Sequence, residues 1–227
     1  MALARRRGAV TMLLPPLLLV LVSCWLCGTA AAARPAPSSS DSAAGFVRSW
    51  CAGTEYPALC DATLSPYASA VGASPARLSW AALTVTLGGA RAATRAMKAM
   101  AAAGHLAPVG AEAARDCVSM LRDAEDLLEQ AADAMARLGK EERGGGGGGQ
   151  QAASSSSSSR DVRFQVDSVQ TWASAALTND DMCVEGFKGE AAGGGGVREA
   201  VRGHVVGVAH LTANALGIVS AMAKQMS

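Results

Sequence analysis

Four long segments of the sequence carry apolar residues at alternating steps of three and four, a spacing that puts one stripe of side chains on one face of an α-helix. In the first segment the stripe runs through Trp80, Leu83, Leu87 and Met97. No stretch of any length alternates with a period of two, and aromatic residues make up only 4% of the chain. The pattern predicts an all-α fold, an up-down-up-down four-helix bundle. The segments cover about residues 75 to 104, 110 to 138, 161 to 177 and 197 to 222.

A shorter helical region precedes the bundle segments. Between residues 43 and 67 two short helical stretches flank a turn at Gly53, Thr54 and Pro57, with Cys51 and Cys60 on either side of the turn. A disulfide between these two cysteines would pin a helical hairpin. Ser74 and Pro75 then provide an N-cap and a first-turn proline for the first long helix.

The N-terminus has the pattern of a secretory signal peptide, which we place at residues 1 to 33. Three arginines, at 5 to 7, precede an apolar run at 9 to 23 and small residues at 28 to 33. The apolar run is short and broken by Pro15 and Pro16, which is unfavourable for a membrane span. Cleavage would leave 17 basic against 19 acidic residues, a net charge of −2. We therefore expect a secreted protein without affinity for nucleic acid or, once processed, for membranes.

Two low-complexity stretches bound and interrupt the domain. Residues 34 to 42 are rich in proline and serine and predict a disordered leader. Residues 140 to 160 contain runs of six glycines and six serines and predict a disordered insertion within one domain that covers residues 43 to 224. Because loop-closure entropy grows only logarithmically with length, a bundle tolerates such an insertion.

Six cysteines are present, and two of them, Cys24 and Cys27, fall inside the signal peptide. An even number of remaining cysteines in an exported chain predicts two disulfides, although four cysteines allow three pairings. The four are Cys51, Cys60, Cys117 and Cys183.

Catalytic and metal-binding patterns are missing from the sequence. Its three histidines and its mature cysteines have no metal-site spacing, and no serine stands in a nucleophile-elbow context. The sequence therefore predicts a protein that is not an enzyme and needs no cofactor.

Three stretches resemble one known family. They are residues 114 to 128 (ARDCVSMLRDAEDLL), 169 to 187 (VQTWASAALTNDDMCVEGF) and 211 to 222 (LTANALGIVSAM), and they accompany the eight-residue spacing between Cys51 and Cys60. Together they resemble the plant invertase and pectin methylesterase inhibitors. The resemblance implies a four-helix bundle behind a helical hairpin, disulfides Cys51–Cys60 and Cys117–Cys183, and a one-to-one complex that blocks the substrate cleft of a cell-wall enzyme.

The resemblance also implies contact residues. In the invertase inhibitors a Pro-Lys-Phe tripeptide lies in the region after the fourth cysteine, whereas this chain has Phe187-Lys188 there and no Pro-Lys-Phe. The acidic contact positions of the pectin methylesterase inhibitors match Asp123, Asp126 and Glu185. One further acidic position of that family is Ser119 in this chain.

Pectin methylesterase is accordingly the expected partner, in the apoplast, with acid invertase as the alternative. We expect the acidic face to imitate the enzyme's anionic polymer. Thr178, with Asn179 and Asp180, is expected to end the third helix, to cap it and to add a contact. A secreted helical scaffold or signalling protein that binds no hydrolase is the competing class of function.

Overall fold

The computed structural model describes residues 39–144 and 155–226, and every regular element in these ranges is helical. Two short helices and a 3₁₀ turn lead into a third short helix, and four long helices follow. In chain order they are α1 (Ser39–Cys51), α2 (Pro57–Leu64), a 3₁₀ turn (Ser65–Tyr67), α3 (Ala68–Val71), α4 (Pro75–Ala102), α5 (Pro108–Gly144), α6 (Ser155–Glu185), a second 3₁₀ segment (Gly189–Gly195) and α7 (Gly196–Gln225).

The four long helices form a closed ring of neighbours. Helix α4 packs on α5 and α7, and α6 packs on the same two helices. Paired contacts give the helix directions. Arg91 and Thr94 on α4 contact Glu129 and Glu125 on α5, Ser79 and Gly89 on α4 lie beside Met222 and Leu211 on α7, and Gln170 and Asp180 on α6 contact Ser220 and Thr212 on α7. In each pair the numbers rise on one helix as they fall on the other, so α4 is antiparallel to α5 and α7, and α6 is antiparallel to α7 and therefore to α5. The predicted up-down-up-down four-helix bundle is confirmed.

The centre of the ring is filled by the residues of the predicted stripes. Leu83, Leu121, Val169 and Ile218, one from each long helix, have no exposed surface. Many of the other core positions are alanine, so the helices can approach closely. Helix α7 is long and apolar enough to span a membrane, but its apolar face packs inside the bundle. The segment is the core helix of this fold.

The N-terminal hairpin is closed by a disulfide, and its turn is fastened to α7. Its disulfide joins Cys51 at the end of α1 to Cys60 on α2, with 5.4 Å between the Cα atoms. Asn214, buried on α7, accepts a hydrogen bond from the Tyr56 backbone N–H at 2.9 Å and donates one to the Tyr56 carbonyl oxygen at 3.0 Å. The Tyr56 ring stacks on His210 with 3.8 Å between the ring centroids. These contacts fix the turn of the hairpin against α7.

Helices extend into both stretches that were expected to be disordered. Helix α1 begins at Ser39, inside the expected leader at 34 to 42, because two serines precede Asp41, which suits the positive N-terminal end of a helix. Helix α5 continues to Gly144 through Lys-Glu-Glu-Arg, all good helix formers, and α6 begins at Ser155. Of the expected insertion at 140 to 160, residues 145–154 lie outside the described residues, as does the expected signal peptide.

The end of α6 also differs from the sequence expectation. The helix runs past Leu177 to Glu185, so Thr178, Asn179 and Asp180 lie within it. Asp180 faces the core and has no exposed surface. The polar run looked like a helix end because short polar residues usually satisfy free backbone groups there, but burial of Val184 and Cys183 on the same face keeps the segment helical.

Candidate functional site

A second disulfide crosslinks two neighbouring long helices. Cys117 on α5 and Cys183 on α6 are bonded, with 4.4 Å between their Cα atoms and 66 positions between them in the sequence. Both side chains are buried. The two helices are therefore held together where their outer faces meet, near the start of α5 and the end of α6.

A groove of about 240 Å³ opens beside this disulfide, and we call it the bridge groove. Its walls carry Val109 and Met182, which are 46% and 50% exposed and are two of the three large apolar residues reported as exposed among the described residues. Two acids, Glu112 and Asp116, also line it. Exposed apolar side chains next to charged ones are typical of protein-binding surfaces. The other lining residues are Ala113, Cys117, Met120, Cys183, Gly186 and Ala191.

The acidic residues expected on α5 lie farther along the same helix. Asp123 and Asp126 follow Cys117 by six and nine positions, which is about 9 Å and 14 Å of helix rise. Both are exposed. Their side chains face away from the buried stripe of Cys117, Leu121 and Leu128. They are available to a partner without any change in the core.

Glu185 lies on the other side of the disulfide. Because α6 is antiparallel to α5, Glu185 is displaced from Asp123 by about 12 Å along the bundle axis. It forms an exposed ion pair with Lys188. It also lines a second groove of about 550 Å³, the hairpin groove, between the N-terminal hairpin, α6 and α7. Other residues of the hairpin groove include Glu55, Tyr56, Asp181, Arg202 and His210.

Thr178 is exposed on α6, five positions before Cys183, at nearly the same height as Asp123. Its hydroxyl donates to the Ser174 carbonyl oxygen at 3.0 Å, a contact within the helix rather than a cap. The predicted contact residues therefore do not form one cluster. They are spread over the outer faces of α5 and α6, on both sides of the Cys117–Cys183 bond.

Asp180 is a buried carboxyl just inside this surface. Thr212 on α7 donates to its Oδ2 at 2.9 Å, while its Oδ1 has no hydrogen-bond partner in the described structure. Burial raises the pKa of Asp180 to about 7, the Thr212 hydrogen bond opposes this shift, and the charge of Asp181 adds to it. The carboxyl thus changes charge near neutral pH.

The sequence reasoning missed the bridge groove residues Val109, Asp116 and Met182. The predicted third helix ended at residue 177, so Met182 was not assigned to any helical face. Continuing the helical count from Ala176 through Asp180 to Cys183 places Met182 beside the disulfide on the outer surface. The signal was present in the spacing of the buried residues.

No group of three or more potential metal-ligating side chains occurs in residues 39–144 or 155–226.

Comparison with known proteins identifies relatives along most of the chain. The sequence pattern of the family described as plant invertase/pectin methylesterase inhibitor matches residues 45–218. The chain is 32% identical to the "21 kDa protein" of Daucus carota, over 84% of this chain and 87% of that protein. It is 34% identical to pectinesterase inhibitor 9 of Arabidopsis thaliana, over 86% and 87% of the two chains. It is 30% identical to pectinesterase inhibitor 11 of the same plant, over 92% and 96%. No solved structure matches.

Proposed function

The chain belongs to the plant invertase/pectin methylesterase inhibitor family, and we propose that it inhibits a pectin methylesterase by covering the enzyme's substrate cleft. Its relatives include several proteins named pectinesterase inhibitors. The observation that carries the proposal is the outer surface of α5 and α6, which is rigid, acidic and partly apolar around the Cys117–Cys183 bond. The protein acts by binding, without chemistry of its own.

Rigidity of this surface supports an inhibitor that blocks a cleft. The disulfide holds α5 to α6, and the buried stripes of both helices hold them to α4 and α7. A preorganised surface loses little conformational freedom on binding, so more of its contact energy appears as affinity. The outer faces of α5 and α6 can therefore be presented to a partner without rearrangement.

The acidic residues of this surface favour binding to a cleft that is basic or that ordinarily binds an anionic substrate. Asp116, Asp123 and Asp126 line one side of α5, and Glu112 stands at the rim of the bridge groove. A pectin-processing cleft accommodates an anionic polymer, so carboxylates on the inhibitor can occupy positions that suit that polymer. Such charge complementarity increases the association rate and the specificity more than the affinity.

The apolar part of the bridge groove supplies the affinity in this proposal. Met182 and Val109 are exposed in the free protein, and covering them with an enzyme side chain removes apolar surface from water. Thr178 and Glu185 extend the contact along α6, as the family resemblance implies. Ser119, where related inhibitors have an acid, leaves the start of this surface less negative.

The invertase alternative has less support. The region after the fourth cysteine contains no Pro-Lys-Phe tripeptide, and Phe187, the aromatic residue of this region, is fully buried in the core. Lys188 pairs with Glu185 on the surface. Neither side chain extends from the surface toward a partner's pocket. The segment after the fourth cysteine therefore contributes to the packing of the fold.

Secretion and stoichiometry complete the proposal. The basic and apolar residues at the start of the sequence and the two disulfides suit an exported protein that works in the plant cell wall. A single rigid surface per chain suits a one-to-one complex. Both features are part of the proposed function.

Parallel inhibition assays test the target class. The oxidised protein is added to a plant pectin methylesterase and to an acid invertase at matched concentrations, at pH 5 to 6. We expect loss of esterase activity and unchanged invertase activity. Loss of invertase activity alone would assign the chain to the other branch of the family, and loss of neither would favour the scaffold or signalling class.

A further inference from the structure

A third groove lies at the end of the bundle remote from the Cys117–Cys183 bond, and we call it the tryptophan groove. It has a volume of about 440 Å³ and is formed by α3, the start of α4 and the C-terminal part of α5. Small-molecule sites typically have volumes of about 300 to 1,000 Å³. Gly139, on its α5 side, is 22 positions from Cys117, or roughly 33 Å along the helix. The lining residues are Ala70, Arg77, Trp80, Met135, Ala136, Gly139 and Lys140.

The composition of this groove differs from that of the other grooves. Trp80 and the alanine, methionine and glycine residues form apolar walls, and the charged groups among the described lining residues are the two cations Arg77 and Lys140. Neither cation forms an ion pair with any acid that the structure describes. Glu142, an acid at this end of α5, accepts a hydrogen bond from Ser74 and does not line the groove.

Two glycines leave room for the Arg77 side chain. A Cβ atom on Gly139 would lie 2.8 Å from Arg77 Cγ, so only glycine lets the arginine stem lie flat against α5. A Cβ atom on Gly72, whose φ is +61°, would lie 3.3 Å from Nη2. The Arg77 Nε is buried and has no hydrogen-bond partner in the described structure. The stem of the arginine is therefore fixed, and no acid of the described residues forms an ion pair with its guanidinium group.

The position of Arg77 in its helix is also unfavourable for the fold alone. It is the third residue of α4, whose first turn contains no acid. The positive end of the helix macrodipole stabilises anions and disfavours a cation at this position. Glu142 of α5 meets this helix end at the N-cap Ser74, so the uncompensated positive charge at the groove is that of Arg77 and Lys140.

From this arrangement we infer that the tryptophan groove binds an acidic oligosaccharide built of uronate sugars. The flat indole of Trp80 offers an apolar surface to the C–H face of a sugar ring, while Arg77 and Lys140 bind its carboxylates. An acidic peptide shares the charge but lacks the rigid rings that suit a flat aromatic wall. The choice of uronates rests on the proposed function, because de-esterified pectin presents free carboxylates next to the proposed target.

The consequence is a protein with two separate binding surfaces. The bridge groove surface contacts the enzyme, and the tryptophan groove holds a segment of the acidic polymer at the opposite end of the bundle. Inhibition of the enzyme does not require the second surface.

Calorimetric titration of the full, oxidised protein tests this inference. The probes are an unesterified oligogalacturonate, the same oligomer with all carboxyls methyl-esterified, and a polyglutamate of equal charge. We expect binding of the unesterified oligomer and at least about tenfold weaker binding of the other two, because the ester lacks the charge and the peptide lacks the rings. Equal binding of the ester, or equal binding of polyglutamate, would overturn the inference.

Three variants locate the site. Lys140→Ala removes one cation, Gly139→Ala displaces Arg77 without changing the charge, and Trp80→Leu removes the aromatic wall. Each variant should weaken binding of the unesterified oligomer by about fivefold or more. The control is Lys98→Ala, which removes a cation from a basic depression without an aromatic residue and should leave this binding unchanged. Equal weakening by Lys98→Ala would show general attraction of a polyanion and contradict the assignment. Lys140→Ala, on an exposed residue, keeps the test valid if Trp80→Leu unfolds the chain.

Esterase inhibition measured on the same samples separates this inference from the proposed function. Lys140→Ala should inhibit as the unmutated protein does. A protein that binds the oligomer but does not inhibit would refute the proposed function alone, and one that inhibits but does not bind the oligomer would refute the groove alone.

Discussion

The Thr212 hydroxyl on α7 lies 2.9 Å from Asp180 Oδ2 on α6 and 2.9 Å from the carbonyl oxygen of Val208. A hydroxyl has one proton, so it can donate to only one of these acceptors at a time. When Asp180 is ionised, the two acceptors compete for that proton. When Asp180 is protonated, its own O–H can donate to Thr212 while Thr212 donates to Val208. The geometry therefore favours a neutral carboxyl between the two helices.

We predict that this contact makes the protein more stable at acidic pH. Burial raises the pKa of Asp180 from 3.8 to about 7, so the folded state binds the proton more tightly than the unfolded chain does. The contribution is complete below pH 3.8, decreases as pH rises and is lost above about 7. Its full size is up to about 4 kcal/mol, of which about 2 kcal/mol falls between pH 5.5 and 7. Urea denaturation at several pH values measures it.

Asp180→Asn provides the control for this prediction. Asparagine has nearly the same shape and cannot ionise, so the decrease in stability from pH 5.5 to pH 7 should become smaller by about 2 kcal/mol. An equal decrease in both proteins would assign the pH dependence to other groups.

The two disulfides should contribute unequally to stability. In the chain-entropy treatment a bond that closes 66 positions contributes about 4 kcal/mol, and one that closes 9 contributes about 2.6 kcal/mol. Paired replacement of Cys117 and Cys183 by alanine should therefore lower the free energy of unfolding more than paired replacement of Cys51 and Cys60. Chemical denaturation of the two double variants gives the comparison. The opposite order would mean that the hairpin, rather than the α5–α6 bond, limits the stability of the bundle.

Met182→Glu should weaken esterase inhibition. The side chain is half-exposed, so the fold is kept, but a new carboxylate beside Glu112 and Asp116 removes the apolar wall of the bridge groove. We expect the inhibition constant to rise by about tenfold or more, as for a residue at the centre of an interface. The matched control is Phe164→Glu, because Phe164 is on the same helix, is 72% exposed and lies outside the groove. Similar constants for both variants would remove the bridge groove from the interface.

Neutralising the acids of α5 should slow association. Asp123→Asn combined with Asp126→Asn removes two exposed charges without changing the core. We expect the association rate constant to fall by about fivefold at low ionic strength, with a much smaller change at high salt and in the dissociation rate. Surface plasmon resonance with immobilised enzyme measures both rates. Asp133→Asn with Glu141→Gln, two exposed acids farther along α5, is the control, and an equal effect there would mean that only net charge matters.

Spacing of apolar residues was sufficient to predict the bundle, because the stripe through Leu83, Leu87 and Met97 can be buried only on one face of a helix. Helix ends were predicted less well. The second segment was expected to end at about residue 138, yet α5 continues through Gly139, where the missing Cβ makes room for Arg77. That role depends on a residue 62 positions earlier in the chain, and no local pattern reveals it.

The site was predicted in part. Exposure of Asp123 and Asp126 follows from their position opposite the buried stripe of α5, which the sequence shows directly. The buried carboxyl of Asp180 was not predicted, since its environment is created by Thr212 on another helix. The bridge groove depends in the same way on two helices meeting, so only the folded chain brings Val109 close to Met182.

An equivalence-point titration tests the central proposal most directly. A plant pectin methylesterase at a concentration well above the expected dissociation constant is titrated at pH 5.5 with the oxidised protein, and the residual activity is measured. The account predicts a linear fall to a low residual activity that ends at one inhibitor chain per enzyme. Full esterase activity in the presence of a severalfold excess of folded, disulfide-bonded protein would contradict it.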